Sequence, residues 1–318
     1  MARRNYRKSS KKIQPAVQTL TFATPSTTAT RTYIDLSQVT SLVNRRFYRQ
    51  GLNWAVAGFK VSSMKAGTVN IYKLPNTWVL SNAWEKGFRT WQRMNNEATE
   101  DSPSIKPKFL DYKIYADSRH HAAGFAANLL PLDSAGTIAE AGEWESSKMV
   151  VPNTAAAAPG TRINNFEIIA VGGNYPGAGA SGLDAVSLID GYAASRGLPN
   201  VLDPNAPDDS ADADGATPEN WMVATFNEAT GQDDAVISDM ITENNLAPYP
   251  FENDGTNIDT MYPGGANQLS ALEFHDFVNI FETNATHGVG IQRLKGGNFP
   301  CGLICIDHTP SEAANLLN

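Results

Sequence analysis

Residues 52–75, LNWAVAGFKVSSMKAGTVNIYKLP, contain two runs of alternating apolar and polar residues separated by a turn-like MKAG. Alternation with a period of two gives a strand one apolar face, so this stretch predicts two consecutive β-strands. The same pattern predicts about eight further short strands. They are TLTFAT (19–24), TRTYIDL (30–36), PKFLDYKIYAD (107–117), SKMVVP (147–152), RINNFEIIAVGG (162–173), NWMVATFN (220–227), HGVGIQRL (287–294) and FPCGLICIDH (299–308).

The clearest helix follows these first strands, at residues 82–96, NAWEKGFRTWQRMNN. Asn82 is suited to cap its N-terminus, with Glu85 three residues later as in a capping box. Aromatic side chains recur on one face at i, i+4 and i+7. This stripe predicts packing in the core and is made by Trp84, Phe88 and Trp91.

Long polar connections rich in Gly and Pro separate the predicted strands, and the two remaining patterned segments are less distinct. Residues 233–245 have a helical pattern, whereas residues 269–281 fit either a helix or a strand. Many short strands with such connections favour an all-β fold with helical insertions, either an antiparallel sandwich or a jelly roll. No internal repeat is evident.

The first twelve residues, MARRNYRKSSKK, carry six cations and no acid, although the whole chain has a net charge of −8. Clustered Lys and Arg displace the counterions condensed on nucleic acid, so this arm is a candidate nucleic-acid-binding segment. Tyr6 lies among the guanidiniums, where it can stack on an unpaired base. The candidate residues of the arm are Arg3, Arg4, Arg7, Lys8, Lys11 and Lys12.

A second cationic cluster, Arg45, Arg46 and Arg49 in NRRFYRQ, surrounds Phe47 and Tyr48 and repeats the mixture of cations and aromatic rings. We predict that it also binds nucleic acid, at the edge of the folded body.

Charge is divided into blocks, because residues 197–292 contain no Lys or Arg and 17 Asp or Glu. A terminal block of like charge is typical of an interaction tail. The alternatives for the basic arm are a solvated tail without a partner and a nuclear import signal.

A glycine-rich segment supports the strongest competing hypothesis, an oxidoreductase that binds a flavin or nicotinamide dinucleotide. Gly177, Gly179 and Gly182 precede a predicted helix, and Asp203 follows about twenty residues later, as in a dinucleotide-binding unit. However, residues 174–176 separate the glycines from the preceding strand, and the next predicted strand is too short. A glycine-rich loop closed by a short helix is the preferred interpretation.

Metal and redox chemistry have little support in the sequence. SADADG (210–215) resembles part of a calcium loop, but Trp221 occupies the position of the bidentate Glu, which leaves a looser carboxylate site for calcium as an alternative in this acidic region. Cys301 and Cys305 are predicted to share one face of a single strand as buried small residues. The neighbouring His120 and His121 are predicted to be solvated. The chain contains no catalytic motif and no apolar run of membrane-spanning length, so we expect no enzyme activity, no cofactor and no membrane partner.

Residues 67–98, GTVNIYKLPNTWVLSNAWEKGFRTWQRMNNEA, resemble a segment of the capsid proteins of small circular single-stranded DNA viruses of the circovirus-like and bacilladnavirus-like kind. In those proteins a strand ending in PNTW runs into an amphipathic helix. The resemblance implies one eight-stranded jelly roll whose copies form an icosahedral shell, with basic arms that contact the genome. We predict a disordered basic arm over residues 1–16, a jelly-roll shell domain with insertions over 17–308 and a C-terminal tail over 309–318.

The expected function is therefore that of a structural capsid protein located in the virion. Its expected partners are other copies of itself and a single-stranded genome, with DNA indicated by the resemblance alone. Assembly is expected inside the host cell, with the nucleus as one candidate compartment, while the sequence names no receptor. A non-viral oligomeric β-protein that binds nucleic acid is a further alternative.

Overall fold

A computed structural model describes residues 16–24, 30–63, 65–106, 110–152, 163–196, 221–224, 271–281 and 289–310 of the 318-residue chain. Within these ranges the strands are β1 (Thr30–Asp35), β2 (Asn53–Ser63), β3 (Gly67–Lys73), β4 (Met149–Pro152), β5 (Ile163–Ile169), β6 (Ala185–Ser187), β7 (Glu273–Ile280), β8 (Gly290–Pro300) and β9 (Leu303–Pro310). The helices are α1 (Leu36–Asn44), α2 (Trp78–Ala98), α3 (Ser118–Ala123), α4 (Leu188–Arg196) and α5 (Trp221–Ala224). Pro103–Ile105 and Phe125–Ala127 form short 3-10 turns.

The antiparallel strands pair in a nested order. β1 pairs with β9, β2 with β8, β3 with β7, and β4 with β5. β9 also pairs with β3, which creates a four-stranded sheet in the order β1-β9-β3-β7. β6 departs from this order and runs parallel to β5. The predicted antiparallel, β-rich fold with helices is confirmed, and none of the described sheets closes into a barrel.

Hydrophobic clusters lie on both faces of the four-stranded sheet, because neighbouring residues of its strands point to different clusters. Ile34 and Ile304 pack toward the β2–β8 ribbon, where they meet Leu294 and Phe299. On the opposite face, a larger cluster joins the sheet to α2, α4, β4 and β5. Its members from the sheet include Tyr33, Leu303 and Cys305.

Helix α2 packs an aromatic face against the larger cluster, as the sequence predicted. Trp91 is 8% exposed, and Trp84 and Phe88 are partly buried against the same residues. The predicted cap is wrong, since the helix begins at Trp78 and the side chain of Thr77 accepts a hydrogen bond from Leu80 N at 3.3 Å. Val79 and Leu80 are buried, so an additional apolar turn extends the helix before Asn82.

Two predicted strands form isolated bridges in the described residues. Phe22 bridges to Pro131 within residues 19–24, and Tyr115 bridges to Ile169 within residues 107–117. Only part of the second segment bonds as a strand does, since Tyr115 N donates to Ile168 O at 2.9 Å. By contrast, Ile114 N donates to Gln50 Oε1 at 2.7 Å, and Lys113 N donates to Ser147 Oγ at 2.9 Å.

Three other segments also differ from the sequence prediction or refine it. Residues 221–224 form helix α5 where a strand was predicted, with Trp221 fully buried. The predicted strand 299–308 is divided by a turn, because Cys301 (φ 57°) and Gly302 (φ 71°) adopt left-handed backbone conformations. The ambiguous segment 269–281 contains strand β7. The predicted helix at 233–245 lies outside the described residues.

Candidate nucleic-acid interface

The loop from Arg45 to Arg49 presents its cations on the surface of the folded body. Helix α1 ends because Arg45 adopts a left-handed conformation (φ 52°, ψ 41°), and its backbone N–H donates to Ser41 O. Arg45, Arg46 and Arg49 are exposed, and Phe47 is 40% exposed between them. The structure therefore brings the predicted residues of this cluster together on one short loop.

Hydrogen bonds to buried or half-buried groups fix both ends of this loop. At its start, Arg46 N donates to Ser41 O at 3.3 Å, and Tyr48 N donates to Ser41 Oγ at 3.0 Å. At its end, the buried side chain of Gln50 donates to Ile114 O at 3.1 Å and accepts from Ile114 N at 2.7 Å. A loop fixed in this way loses little conformational entropy when its cations bind a polyanion.

Gln50 also donates to the buried carboxylate of Asp35 at 3.1 Å, which connects the loop to the start of α1. Asp35 caps α1 by accepting from Ser37 N at 2.9 Å, and Trp144 Nε1 donates to it at 3.0 Å. Burial raises the pKa of Asp35, and the hydrogen bonds from Ser37 and Trp144 oppose that rise. One buried carboxylate thus connects the helix that precedes the loop with the residue that closes it.

The basic arm joins the folded body beside this loop. Val17 N donates to Asn44 Oδ1 at 2.7 Å, and Asn44 is the last residue of α1 before Arg45. The cations of the arm are only a few residues before Val17 in the chain. They lie outside the described residues and are Arg3, Arg4, Arg7, Lys8, Lys11 and Lys12.

The prediction that His120 and His121 are solvated is wrong, because both rings are buried. The ring of His120 stacks on Tyr33 with centroids 4.4 Å apart. Its Nδ1 accepts from Ala116 N at 3.0 Å, and its Nε2 lies 2.8 Å from Asn128 Oδ1. Burial lowers the pKa of His120 to about 3. Both ring bonds are satisfied by the neutral tautomer that carries its proton on Nε2.

His121 points to a separate buried site, where its Nε2 lies 2.9 Å from Glu167 Oε2. The two groups are close, but they are not aligned as a hydrogen bond. Burial alone would raise the pKa of Glu167, yet the adjacent His121 and the hydroxyl of Ser146 hold it below its usual value. The adjacency of the two histidines in the sequence carried no signal of this pair, since Glu167 is distant in sequence.

The glycine-rich segment is a loop between β5 and β6 rather than a turn that opens a helix. Gly177 and Gly182 have positive φ values of 100° and 80°, and strand β6 follows before α4 begins at Leu188. Gly179 packs so closely on His121 that an added Cβ would lie 2.5 Å from Nε2. A dinucleotide-binding turn requires a helix N-terminus directly after the glycines, and the helix here begins after a further strand.

The described residues contain no cluster of three or more metal-binding side chains. Cys301 and Cys305 are free and buried as predicted, but Cys301 lies in the turn before β9, so they do not share one strand. The calcium-like segment 210–215 and Asp203 lie outside the described ranges. Among the described helices, none has both the length and the apolar character needed to cross a membrane.

No protein-family model, no curated protein and no solved structure matches this chain.

Proposed function

We propose that this chain is a structural viral capsid protein that assembles into an icosahedral shell and binds a single-stranded genome through its basic arm. The observation that carries the proposal is the hydrogen-bonded contact between Val17 and Asn44. It ties Val17, five residues after the last of the arm's six cations, to the last residue of the helix before the loop with its three exposed cations. Such a concentration of positive charge neutralises phosphates despite the negative charge of the whole protein.

The nested pairing of strands supports the jelly-roll part of the proposal. A jelly roll forms when a ribbon of four antiparallel pairs, first strand with last and so on inward, wraps into two facing sheets. The pairs β1–β9, β2–β8, β3–β7 and β4–β5 follow that nesting. The four-stranded sheet also faces the β2–β8 ribbon across a hydrophobic cluster, as two sheets of a sandwich do.

The local structure of residues 67–98 is in keeping with the resemblance to capsid proteins of small single-stranded DNA viruses. Strand β3 ends at Lys73 and the amphipathic helix α2 begins five residues later, at Trp78. The proposed partners are further copies of the chain and the viral genome, with DNA suggested by this resemblance. The proposed locations are the virion and, during assembly, the interior of the host cell.

The arm is tested by deleting residues 1–12 and measuring the ratio of absorbance at 260 and 280 nm of the purified particles. The deletion removes six cations from a segment whose sequence lacks the apolar periodicity needed to pack, so we expect the fold to persist and the ratio to fall strongly. Replacing Arg45, Arg46 and Arg49 with Gln should lower the ratio further. An unchanged ratio would assign the arm another role, such as nuclear import.

A charge-matched control separates local contacts from the effect of total charge. Lys106, Arg119 and Lys148 are exposed and lie on other elements than the loop. Their replacement with Gln removes the same three charges, and we expect a smaller loss of nucleic acid than for the loop variant. Equal losses would argue against the Arg45–Arg49 loop as a defined contact.

A further inference from the structure

The β2–β8 ribbon has an outer face that carries three cations. Lys60 and Arg293 are direct partners in the antiparallel register, and Lys295 lies two residues beyond Arg293 on the same strand. The adjacent residues Phe59 and Leu294 pack into the cluster below the ribbon. Since side chains alternate along a strand, Lys60, Arg293 and Lys295 point away from that cluster, and all three are exposed.

The placement of Lys60 opposite Arg293 is unfavourable in the absence of a ligand. Direct partners in an antiparallel pair have Cβ atoms about 5 Å apart, and like charges there destabilise the sheet. Within the described ranges, no carboxylate lies within 4.0 Å of either cationic group. Asp276 of β7 accepts a hydrogen bond from the backbone N of Lys295 at 3.0 Å. An external anion would relieve the repulsion.

Exposed apolar side chains adjoin this cationic face where the ribbon ends. Ile291, which belongs to the same outward-facing set as Arg293, is 54% exposed. Phe281 is 74% exposed. Its backbone lies next to Gly290, the first residue of β8, since a Cβ added to Gly290 would be 3.4 Å from the Phe281 carbonyl oxygen. Surfaces that bind single-stranded nucleic acid typically combine cations along the phosphate backbone with aromatic rings on which the bases stack.

We infer that this outer face, formed by Lys60, Arg293 and Lys295 with Phe281 at its end, is a second contact for single-stranded nucleic acid. The inference rests on the proposed function for the identity of the ligand. It is separate from the arm and from the Arg45–Arg49 loop, because it lies on different elements. The three cations bind phosphates without sequence preference, and Phe281 stacks on a base.

The test compares the full-length wild-type protein with a variant carrying Lys60→Gln, Arg293→Gln and Lys295→Gln. Binding of a fluorescent oligothymidylate is measured by anisotropy over a series of salt concentrations. Each phosphate contact on a single strand contributes about 0.7 to the log–log slope, so we expect the slope to decrease by about 2 in magnitude. Phe281→Ala should weaken binding while leaving the salt slope unchanged, because stacking releases few counterions.

The control variant again replaces Lys106, Arg119 and Lys148 with Gln, and it should change the slope less than the ribbon variant does. Because the ribbon variant removes a like-charge pair, its melting temperature should equal or exceed that of the wild type. Equal slopes in the ribbon and control variants would overturn the inference. Normal binding with impaired self-association would also overturn it and would assign the face to contacts between copies.

If the wild-type protein binds the oligonucleotide and the ribbon variant matches the control, only the ribbon contact is wrong. If the wild-type protein does not bind single strands at any salt concentration, the proposed function and the inference both fail.

Discussion

At the scale of single residues, His120 shows how burial and hydrogen bonding select one protonation state. Its Nδ1 accepts the N–H of Ala116, so a proton on that nitrogen would place two donors against each other. Its Nε2 is satisfied by Asn128, whose amide donates in turn to Gln38 Oε1 at 2.9 Å. The ring is therefore kept neutral in the folded protein, and burial is the main cause of its lowered pKa.

This lowered pKa predicts a loss of stability in mild acid. The pKa of His120 is about 3 in the folded protein and 6.5 in an unstructured chain, so the unfolded state takes up the proton first. Above pH 6.5 the ring is neutral in both states. As the pH falls from 6.5 toward 3, only the unfolded chain binds the proton, so the free energy of unfolding decreases progressively. The full difference between the two pKa values of His120 corresponds to a loss of about 5 kcal/mol in the free energy of unfolding. The measurement is urea denaturation between pH 7 and pH 4.

The variant His120→Gln provides the comparison, because it keeps polar groups at the site and removes the titration. The free energy of unfolding should fall less steeply with acidification in this variant than in the wild type. Carboxylates such as Glu167, whose pKa is lowered, titrate in both proteins and cancel in the difference. Parallel curves for the two proteins would show that His120 does not control the acid response.

A second prediction at this scale concerns Trp91, which is 8% exposed. The centroids of its ring and of the Tyr112 ring are 5.4 Å apart. Trp91→Ala should lower the free energy of unfolding by about 3–5 kcal/mol, because it opens a cavity in the larger cluster. Phe281→Ala, at a side chain that is 74% exposed, is the control and should have little effect. An unchanged denaturation curve for Trp91→Ala would contradict its burial.

Residue-level prediction from the sequence was successful where a local pattern sufficed. The spacing of Trp84, Phe88 and Trp91 identified a packed face because helical neighbours are close in sequence. It did not identify the burial of His120 and His121, whose partners Asn128 and Glu167 are brought near by the fold. A polar residue is recognisable as buried only when its partners are known.

At the scale of elements, the buried face of the β2–β8 ribbon changes part-way along its length. The register between the two strands is the same on both sides of this change. Val56 and Phe59 both pack on the cluster below, although three positions separate them. An odd separation would place them on opposite faces of a regular strand, so the alternation is interrupted between them, where Ala57 and Gly296 do not pair. Gly296 lies at this point, where an added Cβ would be 2.1 Å from Val56 O.

Gly296→Ala is therefore expected to destabilise the ribbon. The atoms in the way belong to the backbone of β2, which cannot rotate aside as a side chain would. Overpacking of this kind costs about 1–3 kcal/mol and lowers the melting temperature. Gly173→Ala is the matched control, since an added Cβ at Gly173 has no neighbour within 4 Å. Equal melting temperatures for the two variants would contradict the close approach of the strands.

Strands with a ladder partner were predictable from their alternation, as β2 and β3 show. Residues 110–117 have comparable apolar residues, but only a single bridge forms there, between Tyr115 and Ile169. The neighbouring Lys113 N and Ile114 N donate to side chains instead of to a strand. The turn at Cys301 and Gly302 was also missed, since Cys301 is not a residue that favours positive φ. Periodicity predicts the potential to pair, while the presence of a neighbouring strand determines whether pairing occurs.

At the scale of the whole molecule, the nested order of strand pairs was not predictable in detail. β1 and β9 are separated by most of the chain, and no local signal in Thr30–Asp35 specifies Leu303–Pro310 as its partner. The antiparallel, β-rich class was predictable because strand patterns and turn residues occur throughout. Likewise, the composition revealed the basic arm, whereas its attachment beside the Arg45–Arg49 loop required the contact of Val17 with Asn44.

The central claim is that copies of this chain build a closed shell around single-stranded nucleic acid. The most direct measurement is negative-stain electron microscopy, combined with sedimentation velocity, of the full-length protein with and without a single-stranded DNA. We predict uniform closed particles that contain the DNA, because the first twelve residues carry six cations and the exposed Arg45–Arg49 loop carries three more. A monomer or small oligomer under all salt and pH conditions, with DNA present, would contradict the claim.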